Sequence, residues 1–329
     1  MRRNSARPPH AASVGRVTST FTLIDLPTVG TSSHRSGWPY AIKALRRLSR
    51  TDSRYLVDDY IERTFLFADH RHLGIEHHRP WVGFCHHPPE LPEWYSSERL
   101  QNLPLESRWR RSVDNLRLVV TFAPHAADWI SREWRKPTVT IWHPSEPSPI
   151  KWSERRFFEG RPASFVQVGT FARNLRAIES VRIPSWMSKF RLHQCGEWVD
   201  RAESVCHQHF GIASDPSLTH IPRLNNDAYD ALLSRSVVFV NLLASVANNT
   251  ILECLRRYVP LVVNRLAGPL HYLGYNYPLF YERLVDVYEL LTEENIVAAH
   301  EYLKQRSKEC LGSYDFAKQI CAAIGSLSG

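Results

Sequence analysis

Residues 237–264 constrain the fold more than any other part of this chain. Val237 to Leu243 is a short apolar run of the kind shown by a strand buried in a parallel sheet. Asn248, Asn249 and Thr250 then place helix-capping residues ahead of Ile251-Leu-Glu253-Cys-Leu255. Pro260 ends that helix, and Leu261-Val-Val263 makes the next buried strand. A helix N-terminus at the carboxyl end of a parallel strand offers unpaired backbone N–H groups to an anion. Glu253 adds a carboxylate that accepts from sugar hydroxyls. Phosphate on N–H groups with ribose on a carboxylate is the chemistry a nucleoside diphosphate needs. An ordinary βαβ unit with a capped helix carries the same residues, and the pattern alone leaves both readings open.

Strands alternate with helices on either side of this unit. In the first half, Val17 to Leu26, Pro80 to Cys85, Leu116 to Phe122 and Thr138 to Trp142 read as strands, with helices from Pro39 and from His125 to Trp134. In the second, Ala163 to Gly169, Lys189 to His193 and Leu218 to Ile221 join the two strands already named. Such alternation predicts an α/β protein with two Rossmann-like domains, ligands lying at the carboxyl edges of parallel sheets. The expected boundaries are a flexible basic tail over 1–17, an N-terminal domain over 18–145, a C-terminal domain over 146–312 and a last helical segment over 313–329. The length of 329 residues suits two domains.

Charge is unevenly placed. Residues 1–50 hold nine Lys or Arg against Asp25, and this accounts for the whole net charge of +8. A balanced remainder is not a nucleic-acid surface. Within 41–50, Lys43, Arg46, Arg47 and Arg50 share one helical stripe beside Ile42, Leu45 and Leu48. That pattern describes a solvated face over a core stripe, and also a helix that lies on an anionic membrane. The six cysteines are widely scattered, without zinc-ligand spacing, as expected of reduced thiols. No apolar run reaches about 18 residues, so no transmembrane helix is expected. The first 17 residues lack the apolar core of a secretory signal. The expected location is cytoplasmic, with the basic helix as a peripheral contact to the inner membrane face.

Asn248-Asn-Thr-Ile-Leu-Glu-Cys254, Pro260-Leu-Val-Val-Asn264 and Tyr272-Leu-Gly-Tyr-Asn-Tyr-Pro278 together resemble the nucleotide-sugar half of GT-B glycosyltransferases, closest to family 4-like bacterial enzymes. The resemblance implies transfer of a sugar from a nucleotide-diphosphate sugar to a glycan, lipid-linked or small-molecule acceptor, in a retaining and metal-independent reaction. Glu253 inherits the ribose contact, and Asn248, Asn249 and Thr250 the phosphate. Ser245 stands where retaining relatives often carry a second acid, a departure at the donor-sugar position. The turn after Val168-Gly169 holds Arg173 and Arg176, placed to neutralise a diphosphate; the family has an arginine at the place of Arg173. As a residue in a polar turn, Arg173 is expected to matter to turnover more than to stability.

Gly83-Phe-Cys-His-His-Pro-Pro89 resembles the family's loop facing the interdomain cleft. His86 and His87 are therefore candidates for sugar contact or proton relay. Adjacent histidines rarely share a metal, and no carboxylate pair follows a strand, so neither metal nor cofactor is expected. Arg35, Ser36, Gly37 and Trp38, after the first strand, are expected to line the cleft. A nucleotide-sugar epimerase or hydrolase, or a non-catalytic binding protein of the same fold, are the other readings.

Overall fold

The computed structural model describes residues 21–24, 37–193 and 196–328. A first parallel sheet runs β1 (Phe21–Leu23), β2 (Tyr55–Asp58), β3 (Trp81–Phe84), β4 (Leu116–Thr121) and β5 (Thr138–Thr140), paired in that order. A second is built from β6 (Ala163–Gln167), β7 (Met187–Leu192), β8 (Thr219–Ile221), β9 (Ser236–Val240), β10 (Leu261–Asn264) and β11 (Phe280–Tyr281), in the order β11-β10-β9-β6-β7-β8. The helices of the first half are α1 (Trp38–Leu48), α2 (Ile61–Phe65), α3 (Ser107–Ser112) and α4 (Pro124–Trp134). Those that follow are α5 (Glu154–Glu159), α6 (Ala177–Ser180), α7 (Glu197–Phe210), α8 (Asn226–Leu233), α9 (Asn249–Arg257), α10 (Ala267–Leu273), α11 (Val287–Leu290), α12 (Glu293–Gln305) and α13 (Ser313–Gly325). Two parallel sheets flanked by helices are the α/β architecture the alternation predicts.

The inner strands β3, β4, β9 and β10 are buried on both faces and are nearly continuous in apolar residues, whereas β7 alternates and β5 and β8 are more exposed. On one face of the first sheet Val57, Val82, Phe84 and Val120 pack with Ala41, Ile42 and Leu45 of α1. On the other, Trp81 and Val119 pack with Ile61, Ile130 and Trp134. The last helix returns to this first domain: Phe316, Ile320 and Ile324 of α13 are fully buried in the α1 cluster. Lys43, Arg46 and Arg47 of α1 and Arg50 beyond it are exposed, while Ile42 and Leu45 are buried. Among the described helices none is long and apolar enough to cross a membrane.

Two details depart from the sequence reading. Strand β2 was not anticipated, because its four residues lie between polar segments and show no periodicity. Helix α9 ends before Pro260 acts on it: Tyr258 takes a left-handed conformation (φ 61°) and donates its N–H to the Cys254 carbonyl.

The order of the second sheet reverses between β6 and β9, since the chain leaves β6 toward β7 and β8 and returns on the other side to build β9, β10 and β11. Loops that leave the carboxyl ends of β6 and β9 therefore diverge and open a crevice there.

The placement of α13 yields a test. Phe316→Ala removes a fully buried ring from the sheet–α1–α13 interface and should cost about 3–5 kcal/mol. Equilibrium denaturation showing near-wild-type stability would mean that α13 does not complete this core.

Candidate functional site

The crevice between β6 and β9 brings together Gly169, Arg173, Asn248 and Thr250, with Glu253 on the same helix. Asn248 caps α9: its Oδ1 accepts from the N–H groups of Thr250 (3.0 Å) and Ile251 (3.4 Å). Arg173, from the loop after β6, reaches the same cap. Its Nη2 donates to Asn248 Oδ1 at 2.8 Å and to Thr250 Oγ1 at 3.1 Å, and its Nη1 donates to the Val168 carbonyl. The loop is shaped to receive it. Gly169 adopts φ 77°, and a Cβ there would lie 1.4 Å from Arg173 Nη1. Glycine is therefore required twice over, by the left-handed φ of the turn and by the guanidinium above it.

Arg173 is only 4% exposed. That corrects the expectation of a surface arginine, whose loss would spare stability: it is a buried element of the loop. Its Nε is buried without an acceptor. All the hydrogen-bond acceptors found for Arg173 are uncharged, and it forms no ion pair with a described carboxylate. Burial pulls the guanidinium below its ordinary pKa, opposed by Tyr229, Tyr95 and then Glu253 nearby. A buried cation without an ion-paired anion is costly. The positive end of α9 beside it adds to the positive potential of the crevice.

Glu253 lies within α9 at 1% exposure, and its Oε2 accepts from the Tyr229 hydroxyl of α8 at 2.7 Å. Beneath it, the buried Arg257–Asp230 pair (2.8 Å) clamps α9 to α8. The expected ribose carboxylate is thus held by a phenol from the neighbouring helix. Ser245 is buried, and its Oγ has no partner. Its carbonyl touches α10 so closely that a Cβ on Gly268 would sit 2.3 Å from it.

Arg176 does not join this group. Its guanidinium binds Glu179 through Nε (2.9 Å) and Nη2 (2.7 Å), and contacts His207 of α7 at 2.7 Å. A carboxylate three residues ahead on the same short helix captures it, which assigns Arg176 to α6–α7 packing.

On the first domain, one carboxylate organises the candidate histidines. Glu62 of α2 is fully buried, and its Oε1 accepts from the N–H groups of His86 (2.8 Å) and His87 (2.7 Å) and from the Cys85 thiol (3.2 Å). The His87 Nδ1 lies 2.8 Å from the Glu98 carbonyl. A carbonyl only accepts, so in the neutral ring Nδ1 carries the proton and Nε2 keeps its lone pair. Nε2 is buried and unpartnered. The His87 ring meets Phe171 of the loop after β6, centroids 4.8 Å apart, so the histidine turn faces the second domain. His86 instead stacks on Tyr60 (4.0 Å) with its Nε2 on the Asp59 carbonyl.

Trp38 corrects the cleft expectation. It is packed among Phe84, Phe122 and Phe316, and its indole N–H donates to Asp59 at 2.8 Å. An indole has one donor, and here that donor is spent inside the domain. Gly37 is the N-cap of α1. Arg35 and Ser36 lie outside the described residues. Among those residues, no three of His, Cys, Asp and Glu converge as metal ligands.

Against known proteins, no family model matches the sequence and no curated protein matches it. Solved structures do match. A sucrose-phosphate synthase from Thermosynechococcus elongatus aligns with TM-score 0.61 at 12% identity, over 87% of this chain and 76% of that one. Anabaena HepE in complex with UDP and glucose aligns with TM-score 0.58 at 12% identity, over 88% and 82%. A UDP-forming α,α-trehalose-phosphate synthase from Burkholderia xenovorans aligns with TM-score 0.53 at 14% identity, over 88% and 78%. The fold is that of the GT-B glycosyltransferases.

The buried imidazoles set the acid limit of this arrangement. Burial pushes the His143 pKa down to about 4, and that of His86 well below its ordinary value. Unfolded, both titrate near 6.5. The unfolded chain thus binds more protons in this window, and stability falls as pH drops from 6.5 toward about 4. His143 alone would contribute roughly 3 kcal/mol across it. Thermal melts from pH 7 to 4 should show this decline, flattened in His143→Phe. An unchanged slope in that variant would remove His143 from the explanation.

Proposed function

We propose that this protein is a glycosyltransferase that uses a nucleoside-diphosphate sugar, with UDP as the nucleotide, the class of ligand present in the Anabaena HepE structure. One observation carries the reading: a buried arginine, free of any described ion-pair partner, lies on a helix N-terminus at the point where the second sheet reverses its order. A diphosphate supplies the missing negative charge.

In the proposed reaction the acceptor oxygen bonds to the anomeric carbon as the bond from that carbon to the diphosphate oxygen breaks. Negative charge grows on the departing diphosphate, where Arg173 and the positive end of α9 stabilise it most at the transition state. The unprotonated His87 Nε2 takes the acceptor proton. Glu253, positioned by Tyr229, holds the ribose. Retention at the anomeric carbon and independence of metal belong to the proposal on the motif resemblance; activity persisting in a chelator supports the second.

The acceptor is proposed as a sugar or a lipid-linked glycan at a membrane surface. The exposed Lys43, Arg46, Arg47 and Arg50 support a peripheral contact that is electrostatic, since Ile42 and Leu45 are buried and unable to insert. Each such cation adds about 1 kcal/mol near an anionic surface.

Calorimetry tests the nucleotide site. UDP should bind the wild type, and Glu253→Gln should weaken it roughly tenfold, the scale of one charge-assisted hydrogen bond. Equal affinity in a folded Glu253→Gln protein would end the ribose assignment. Absence of UDP binding by the wild type would favour a non-catalytic protein, and release of sugar without any acceptor would favour a hydrolase. Sedimentation with anionic vesicles tests the membrane contact: binding should fall with salt and with Arg46→Glu/Arg47→Glu. Indifference to both leaves the helix a solvated face and the acceptor soluble.

A further inference from the structure

The strap that follows the histidine turn in the first domain crosses onto the second. Leu91 and Tyr95 of this strap are buried with Ala172, Leu175, Ala202 and Cys206 of the second domain in one apolar cluster. Beside it, Trp94 stacks on His209 at the end of α7, centroids 3.9 Å apart. A tyrosine hydroxyl bridges this seam. The Tyr95 hydroxyl accepts from the Ala172 N–H at 2.8 Å and donates to the Thr170 carbonyl at 3.2 Å. Ala172 is left-handed, at φ 54°, a conformation that costs an alanine roughly 1 kcal/mol or more. The next residue is Arg173, whose guanidinium lies over Gly169 and on the cap of α9.

We propose that Tyr95 is a positioning residue that couples the two domains to the anion site: its hydroxyl holds the 170–172 turn in the form that aims Arg173 at the N-terminus of α9. Within its own domain the turn is held on one side, by an antiparallel bridge of Arg173 with Leu242: Leu243 N–H donates to the Ala172 carbonyl (2.8 Å) and Asn174 N–H to the Asn241 carbonyl (2.9 Å). The N–H of Ala172, whose φ is unfavourable for alanine, finds its acceptor in Tyr95 of the other domain. His87 rests on Phe171 of the same turn, so the strap and the proposed base both bear on the loop that carries Arg173. When the domains separate, Tyr95 leaves, the Ala172 N–H loses its acceptor, and the turn is held only by its bridge to the chain after β9. Arg173 is then fully placed only in the closed form, and a nucleoside diphosphate that binds Arg173 favours closure by the same coupling.

This rests on the proposed diphosphate role of Arg173, and the test keeps the two apart. Tyr95→Phe retains the ring in its apolar cluster and removes only the hydroxyl. Hydrogen exchange on the intact protein without nucleotide reads the turn directly. Amides within 169–175 should exchange at least several-fold faster in Tyr95→Phe, while those of β9 and β10 stay unchanged. Equal exchange in the turn overturns the proposal. Calorimetry with UDP then reads the coupling through a cycle with Arg173→Lys, which keeps a cation without the planar fork. Tyr95→Phe should weaken UDP binding about five- to tenfold in the wild type and less than about twofold in Arg173→Lys, because its effect passes through the arginine. A full, additive loss in both backgrounds would make Tyr95 merely structural and overturn the coupling. If the wild type binds no UDP, the functional reading falls, and the exchange experiment alone decides whether Tyr95 holds the turn.

Discussion

A guanidinium buried at a helix N-terminus is the interaction on which the second domain's crevice depends. Arg173 ties three pieces of backbone together: the end of β6 through the Val168 carbonyl, the cap of α9 through Asn248, and the first turn of α9 through Thr250. Removing such a group from water is expensive, and uncharged acceptors repay only part of the cost. Gly169 and the left-handed Ala172 show how far the local backbone is bent to accommodate it. The positive end of α9 adds to the charge of Arg173 at this point, and the bound diphosphate proposed above would offset both.

In the first domain a buried carboxyl group, that of Glu62, plays a comparable organising part. One oxygen of Glu62 accepts two backbone N–H groups and a thiol, and so sets the chain direction immediately after β3. This turn sends His87 toward Phe171 and the strap toward Tyr95. A carboxylate on the first domain and an arginine on the second thus shape the two loops that meet between them. The aromatic seam of Trp94, Tyr95, Phe171 and Trp198 joins the domains mostly through ring contacts. Such contacts are individually modest.

The legibility of the site followed sequence distance. Asn248, Thr250 and Glu253 share one helix start, so their grouping could be read from local spacing, and Gly169 with Arg173 from a strand running into a polar turn. Arg176 looked equivalent to Arg173, but Glu179 three residues ahead claimed it. Trp38 looked like a cleft residue from its loop, but Asp59 and the core aromatics took it inward. Tyr229, Tyr95 and Glu62 carried no sequence signal. Each acts on a partner in a different element, 24 residues away for Tyr229 and Glu253 and 77 for Tyr95 and Ala172, and a lone tyrosine or glutamate looks the same wherever its partner lies.

The sequence by itself determined what local physics can write. Apolar runs made buried parallel strands, capping residues started α9, and an alternation of strand and helix committed the chain to two α/β sheets. Strand order, and with it the crevice between β6 and β9, belongs to the tertiary structure, because pairing depends on crossovers that join distant segments. The same is true of the neutralisation of each charge. Whether an arginine sits exposed in a turn or buried on a helix cap is decided by what the rest of the fold brings within about 3 Å of it.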